Sequence, residues 1–315
     1  VTDLIAARID QFRRLRRIQA TSLIITVFGD AVLPRGGRIW LGSLIRLLEP
    51  LNLNDRLIRT SVFRLVKDAW LGAETVGRRS NYALTPSGRR RFEEASRQIY
   101  SSRSPVWDRR WRMILLVNDV DTRQKEQLRR TLFWKGFGVV AGNCFIHPSA
   151  DLGEALDALL AEGLESVLPG LMPMVATDFR STLAASDADL VTRAWDLTKL
   201  ASDYSAFVAT YQPMLDQLRA SSLQEGAEAQ AFLLRILLIH DYRRLLLRDP
   251  ELPEVLLPAD WSGHSARLLC KELYQRLEPL SDRHLDAIMR LADETIPMRD
   301  ETLHERFPDF DSLTA

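Results

Sequence analysis

The stretch NDRLIRTSVFRLVKDAWL, Asn54 to Leu71, has the period of a helix and an unusual polar side. At about 100° per residue, Ile58, Val62, Leu65 and Ala69 fall together as the face to be buried. Arg56, Arg59, Thr60, Phe63 and Lys67 lie opposite, with Arg64 at the flank. Asn54 suits the cap, where its side-chain oxygen accepts from an early helix N–H. A solvated helix usually mixes Glu with Lys on its outer face, because opposite charges four residues apart attract. This face is basic and adds a hydroxyl and an aromatic ring. Arginine forks match guanine O6 and N7 or phosphate oxygens, and Thr and Phe suit a thymine methyl. The plainer alternative is a solvated face with Phe63 packed on a neighbouring element.

The flanking sequence bears on that choice. Upstream, TSLIITVFGDAVLPRGG reads as a helix, with Thr21 or Ser22 as cap, an apolar run from Leu23 to Val32 and a stop at Pro34–Gly37. RIWL is a short β-prone stretch, GSLIRLLEP is a second short helix ended by Pro50, and LNLN is the turn into the third. Downstream come two β-prone stretches, Leu71–Val76 and Asn81–Leu84. Gly77–Ser80 is expected to form the hairpin tip between them, with Arg78 and Arg79 protruding. Thr85 and Pro86 then open a further helix as cap and first residue. Arg89, Arg90 and Arg91 in its first turns oppose the helix dipole, a cost that a nearby phosphate would offset. Helix, strand, helix, turn, helix and basic hairpin is the order of a winged helix-turn-helix. Its third helix enters the major groove while the wing holds backbone or minor groove, and such modules work as dimers on near-palindromic sites. The expected DNA-contacting set is Arg56, Arg59, Thr60, Phe63, Arg64, Lys67, Arg78, Arg79, Arg89 and Arg90.

The whole-chain bounds fit that reading. A chain of 315 residues implies two or three domains. With 46% hydrophobic and 27% charged residues it belongs with globular rather than disordered chains. No run approaches the ~18 uncharged apolar residues of a membrane span. The start VTDLIAARIDQFRRLRR lacks an apolar signal core, so a cytoplasmic location is expected. Its Arg13, Arg14, Arg16 and Arg17 make it either a frayed arm or a short amphipathic helix. Cys144 and Cys270 form neither a disulfide framework nor a CxxC pair. Formal net charge is zero but uneven: residues 1–104 hold 19 basic and 9 acidic side chains, a net of +10, and the remainder holds 23 and 33, a net of −10. Such asymmetry suggests a basic module that meets a polyanion.

In the middle of the chain RWRMILLVND is β-prone, and DTRQKEQLRRTLFWKG has helical period with Asp121 as cap. FGVVAGNCFIHP reads as two short strands, SADLGEALDALLAEG as a helix capped by Ser149 or Asp151, and PGLMPMVATDF as a last strand. That β-α-β-β-α-β order is ferredoxin-like, a layer whose open sheet face and edge suit dimerisation. Gly136-Phe-Gly138-Val-Val-Ala141 matches GxGxxA but follows a helix and leads into strands, the reverse of a dinucleotide site. Asp119 and Asp121 suit a Mg²⁺ in a small nuclease, or more plainly a turn and an N-cap. Cys144 and His147 lack two further zinc ligands. No nucleophile elbow, P-loop, HExxH or paired-carboxylate motif is present, so neither a catalytic nor a metal site is expected and the chain does not read as an enzyme.

The stretch SLIITVFGDAVLPRGGRIWLGSLIRLLEPLNLNDRLIRTSVFRLVKDAWL resembles the PaaX family, repressors of phenylacetic acid degradation genes. YALTPSGRRRFEEASRQIY, WDRRWRMILLV and IHDYRRLLLRDPELPEVLLPADWSGHSARLLCKELY continue the likeness over nearly the whole chain. Only the first residues and the part after about residue 290 are loosely tied to it. The resemblance implies a homodimeric regulator of bacterial aromatic catabolism that binds double-stranded operator DNA and needs no cofactor. Its effector would be phenylacetyl-CoA or a related CoA thioester, which releases the repressor. The implied architecture is α+β and multidomain: a winged helix-turn-helix at 20–100, a ferredoxin-like domain at 105–182, an all-helical C-terminal domain at 186–292, and a tail at 293–315.

The C-terminal segment is helical by pattern over Ser186–Lys199, Ser202–Ala220, Glu225–Arg248, Ser262–Leu277 and Leu280–Ala292. Its densest chemistry is RILLIHDYRRLLLRDPELP, where His240, Arg243, Arg244 and Leu247 share a helix face and Arg235 and Arg248 extend the basic character. Arginine forks match CoA phosphates, and Trp195, Tyr204, Tyr242 or Trp261 would stack on adenine or hold an aryl group. The alternative is that these arginines pair with Asp241, Asp249 and Glu251 and the aromatics are core. Three functions follow: a ligand-controlled repressor, a metal-dependent nucleic-acid enzyme using Asp119, or an acyl-CoA-binding protein.

Overall fold

Apolar residues at positions 5, 9 and 12 put one stripe on α1 (Thr2–Arg13), which buries Ile5, Ile9 and Phe12 together with Arg8. The N-terminal stretch is therefore an amphipathic helix, not a frayed arm. The computed structural model describes residues 2–15, 19–101, 105–177, 186–221, 223–299 and 306–307. Arg16 and Arg17, and Asp178 and Phe179 at the end of the expected last strand, lie outside the described residues.

α2 (Ala20–Val27) starts with Gln19 at the cap position, so neither Thr21 nor Ser22 caps it. It runs on through a widened π turn, Phe28–Val32, and a 3-10 turn, Leu33–Arg35. Gly36 and Gly37 end it at φ 84° and 75°, where glycine meets no Cβ penalty. β1 (Arg38–Trp40), α3 (Leu41–Leu48) and α4 (Asp55–Lys67) follow, then β2 (Leu71–Val76), β3 (Arg79–Leu84) and α5 (Pro86–Ile99). The three strands form an antiparallel sheet in the order β1-β3-β2.

The middle segment holds β4 (Trp111–Leu116), α6 (Thr122–Trp134), β5 (Gly138–Val140), β6 (Cys144–His147), α7 (Leu152–Ala161) and β7 (Leu171–Ala176). Its β-α-β-β-α-β order makes an antiparallel sheet β5-β6-β4-β7. Alternation sends Ile114, Leu116 and Phe145 into one core with Leu128, Leu132, Ala155 and Leu159 of the two helices. Trp111 and Ile146 enter a second core with Val191, Trp195, Leu252 and Leu256. The sheet face that the sequence left open is thus covered in part by this chain. On the edge strand β7, Met172 and Val175 remain exposed.

α8 (Asp187–Ala194), α9 (Thr198–Ala220), α10 (Glu228–Leu246) and α11 (Ser262–Ile288) complete the chain. α11 is one helix where two were expected, with Pro279 inside it. Leu273, Tyr274, Leu277, Leu280, Ser281 and Leu285 keep one buried stripe across the proline, and that packing offsets the missing N–H.

The chain divides into two compact units. The first comprises Val1–Ser102, Ala206–Arg244 and His264–Ala315; the second comprises Arg103–Ser205 and Leu245–Gly263. They do not follow the three successive segments read from the sequence: inside the first unit, polar stitches join the N-terminal elements to the residues just after α11. Trp40 N donates to Arg290 O at 3.2 Å and Ala292 N to Asn81 Oδ1 at 2.7 Å. Ser43 Oγ donates to Arg290 O at 3.2 Å and accepts from Arg290 N at 3.0 Å.

Candidate nucleic-acid interface

Asn54 caps α4, its Oδ1 accepting from Leu57 N at 2.8 Å. The buried face is Ile58, Ser61, Val62 and Leu65. Ala69 does not join it: the helix stops at Lys67, and Ala69 sits exposed at φ 57° as the chain turns into β2. Arg56, Arg59, Thr60, Phe63, Arg64 and Lys67 are all exposed. Phe63 is 69% exposed, so the alternative in which it packs on a neighbour fails within this chain. Arg59 Nε lies 2.8 Å from Asp55 Oδ1, and Thr60 Oγ1 donates to Arg56 O at 2.8 Å.

The hairpin differs from its expected form. Val76 pairs with Arg79, which leaves Gly77 and Arg78 as a two-residue turn with Gly77 at φ 60°. Arg78 is exposed at the tip. Arg79 belongs to β3 and does not protrude: it pairs with Glu294 and lies over the Trp40 ring at 4.6 Å. On α5, Thr85 caps by accepting from Gly88 N at 2.9 Å. Arg89 is half-buried, donates to Gly36 O at 3.2 Å and lies 3.7 Å from Glu93. Arg90 is exposed. The outward set is therefore the six α4 residues, Arg59 among them paired at the surface with Asp55, together with Arg78 and Arg90, while Arg79 and Arg89 are held by residues distant in the chain. Nothing local foretold this, because Glu294 lies 215 residues from Arg79.

The residues read as effector contacts separate. His240 is buried, with Nδ1 3.1 Å from Thr26 Oγ1. Burial holds its pKa down at about 4, helped by the charges of Arg243, Arg244 and Arg8, so its ring is neutral near pH 7. Arg243 donates to Ser22 O at 3.1 Å and Ser22 Oγ at 2.7 Å, tying α10 to α2. Arg244 is exposed. Asp241 pairs with Arg8 at 2.5 Å. Tyr242 belongs to the first unit, and Trp195, Tyr204 and Trp261 belong to the second. Tyr204 donates to Asp249 Oδ2 at 2.6 Å and Trp195 Nε1 to Gly136 O at 3.0 Å, as core residues do. Arg235 does not extend a basic face. It is buried against Asp30 and Asp282.

Asp121 caps α6 by accepting from Gln124 N at 2.7 Å. Gly136, at φ 83°, follows that helix, and a Cβ on Gly138 would lie 2.6 Å from the Trp195 ring. His147 Nδ1 accepts from Ser149 N and Ala150 N at 3.0 and 2.7 Å. Burial holds its pKa at about 4. Among the described residues no group of three or more His, Cys, Asp and Glu side chains gathers to hold a metal, and no helix is long and apolar enough to cross a membrane.

Three family models match in succession: PaaX-like protein over residues 19–88, the PaaX protein central Cas2-like domain over 104–168, and the PaaX-like protein C-terminal domain over 195–287. The chain is also 38% identical over 265 residues to the transcriptional repressor PaaX of Escherichia coli K12, covering 83% of this chain and 81% of that protein. The chain belongs to the PaaX family. Among solved structures, the uncharacterized protein Rv0674 from Mycobacterium tuberculosis aligns with a TM-score of 0.49 and 22% identity, over 76% of this chain and 89% of that one. In this PaaX-family protein, α4 and the hairpin lie inside the first matched segment, and His240, Arg243 and Arg244 lie inside the last. The central sheet with α6 and α7 falls in and around the Cas2-like match.

Proposed function

We propose that this protein is a DNA-binding transcriptional repressor of phenylacetate catabolism genes. The observation that carries this is α4, a capped helix that turns Arg56, Arg59, Thr60, Phe63, Arg64 and Lys67 to solvent, together with an exposed Arg78 at the hairpin tip. Family membership and the repressor relative support the same reading. In it, residues 20–100 act as a winged helix-turn-helix. α4 lies in the major groove, where Arg59 and Arg64 fork to bases or phosphates and Phe63 meets a thymine methyl. Arg78 grips from the wing and Arg90 adds a phosphate contact.

Two copies form a homodimer in the cytoplasm and present two such helices to a near-palindromic operator. An aryl-CoA thioester, with phenylacetyl-CoA as the first candidate, binds the dimer state that cannot span both half-sites and so shifts the population off DNA. Arg243 and Arg244 are the candidate phosphate contacts, with His240 behind them holding α2. No catalytic step belongs to this function.

The test is fluorescence anisotropy on labelled DNA from upstream of the gene and its neighbours, followed by phenylacetyl-CoA, with free phenylacetate and acetyl-CoA as controls. Tight binding reversed only by phenylacetyl-CoA is the expected result. Affinity no greater than for random DNA would overturn the repressor reading, and binding indifferent to every thioester would overturn the effector.

A further inference from the structure

Arg306 and Phe307 occupy a cleft of the first unit as a ligand occupies a site. The Arg306 side chain is 8% exposed and Phe307 is 1% exposed. Arg306 Nη1 donates to Asp30 O and Asp30 Oδ1, both at 2.7 Å, and lies 3.0 and 3.1 Å from the hydroxyls of Tyr100 and Tyr274. Nη2 donates to Gly29 O at 2.7 Å. The guanidinium also lies over the Tyr100 ring at 4.2 Å. The Phe307 ring meets Tyr100 edge-on at 5.3 Å and Tyr274 at 5.5 Å, and Phe307 N donates to Tyr100 O at 3.1 Å. Phe307 holds φ 56°, which L side chains seldom adopt without surroundings that fix them.

The local sequence explains why the cleft can receive a guanidinium. Gly29 and Asp30 lie in the widened turn Phe28–Val32. Pro34 stands four residues after Asp30 and five after Gly29, and it has no N–H to give to either carbonyl. Arg306 supplies donors to both. A planar fork can reach two carbonyls and a carboxylate together, whereas an ammonium is a point charge. The Tyr100 and Tyr274 rings meanwhile offer faces and edges to an aromatic partner. The walls come from the turn after α2, the end of α5 and the middle of α11, three segments far apart in the chain.

We propose that this cleft is a peptide-docking site selective for an arginine–aromatic pair. In this chain it is filled by Arg306 and Phe307, which tie together the turn after α2, the end of α5 and α11. Both residues lie beyond the last matched family segment. The inference stands on this geometry and does not depend on DNA binding.

The test uses the full chain carrying Arg306→Ala and Phe307→Ala together. Amide hydrogen exchange should speed up by about tenfold or more at residues 28–32 and 99–100, and stay unchanged around Leu128 and Phe145 of the other unit. A synthetic peptide of residues 301–312 should restore the lost protection saturably. The same peptide with both alanines should not, and one with Lys for Arg306 should need about ten times the concentration. Parental exchange in the double variant would overturn the docking site, as would lost protection that the native peptide does not restore in a chain still folded by near-ultraviolet circular dichroism. If the double variant does not fold, Arg306→Lys in the full chain serves instead. Faster exchange at residues 28–32 supports the fork-specific cleft, and parental exchange overturns it.

Discussion

Arg235 Nε donates to Asp30 Oδ2 at 2.8 Å across 205 residues of sequence, with the two side chains 2% and 0% exposed. Asp282 bonds the same guanidinium at 2.8 Å and also faces Arg35 at 3.2 Å and Arg299 at 2.5 Å. Burial raises the Asp282 pKa, but Arg235 and Arg35 outweigh it and hold the carboxyl below its usual range. Removing Asp30 takes a buried carboxylate from both Arg235 and Arg306 and leaves Arg235 to Asp282. Asp30→Ala should therefore cost about 3–5 kcal/mol in denaturant unfolding. A loss below about 1 kcal/mol would show that water or rearrangement replaces the carboxylate.

His240 makes stability depend on pH in a set direction. Its pKa falls from 6.5 to about 4 on folding, so the unfolded chain binds the proton more readily. The contribution is fully present above 6.5 and is lost as pH falls toward 4. Its full size is on the order of 3 kcal/mol. Unfolding curves at pH 7 and pH 4.5 should converge for His240→Gln relative to the parent. Equal pH slopes in both proteins would place the effect elsewhere.

Arg59→Ala should weaken operator binding by about 1–3 kcal/mol and relax the preferred sequence, with effector binding unchanged. Arg78→Ala should weaken all DNA about equally and reduce the salt slope by about 1. Titration by anisotropy at several salt concentrations reads both. Arg79→Ala is expected to act through folding, since its partners are Glu294 and Trp40. Operator affinity unchanged in Arg59→Ala would remove α4 as the reading helix.

Asn54→Ala should cost about 0.5–2 kcal/mol of stability, and Asn54→Gly only a few tenths, because the cap oxygen bonds Leu57 N. Thermal unfolding of the two variants side by side measures the difference. Equal losses would mean that the cap bond adds little.

Gly88 has no room for a side chain: an added Cβ would lie 2.2 Å from Trp70 O. That carbonyl also accepts from Thr85 N at 3.1 Å, so it joins the entry to β2 and the start of α5. Gly88→Ala should cost about 1–3 kcal/mol, read from denaturant midpoints, with parental stability arguing that α5 can shift freely.

Much of the architecture was legible because its signals act over short spans. The caps Asn54, Thr85 and Asp121 each accept from an N–H three residues on, and all three could be read directly. The outward face of α4 followed from a period of 3.6 alone. Ala69 was misplaced because periodicity does not show where a helix stops. Pro279 misled in the opposite sense, because a proline's local penalty was outweighed by a buried stripe running past it.

The sequence by itself determined most of the helices and strands, the β-α-β-β-α-β order of the middle segment and the basic outer face of α4. Tertiary structure decided which of the charges remain available. Arg8, Arg35 and Arg79 all belong to the basic first third, yet they pair with Asp241, with Asp282 and Asp286, and with Glu294. His240 and Arg243 likewise read as sharing one helix face open to an effector, and both turned toward α2. A helix period or a cap depends on near neighbours in the chain. An ion pair depends on which distant elements share a core, and that is settled only when the chain folds.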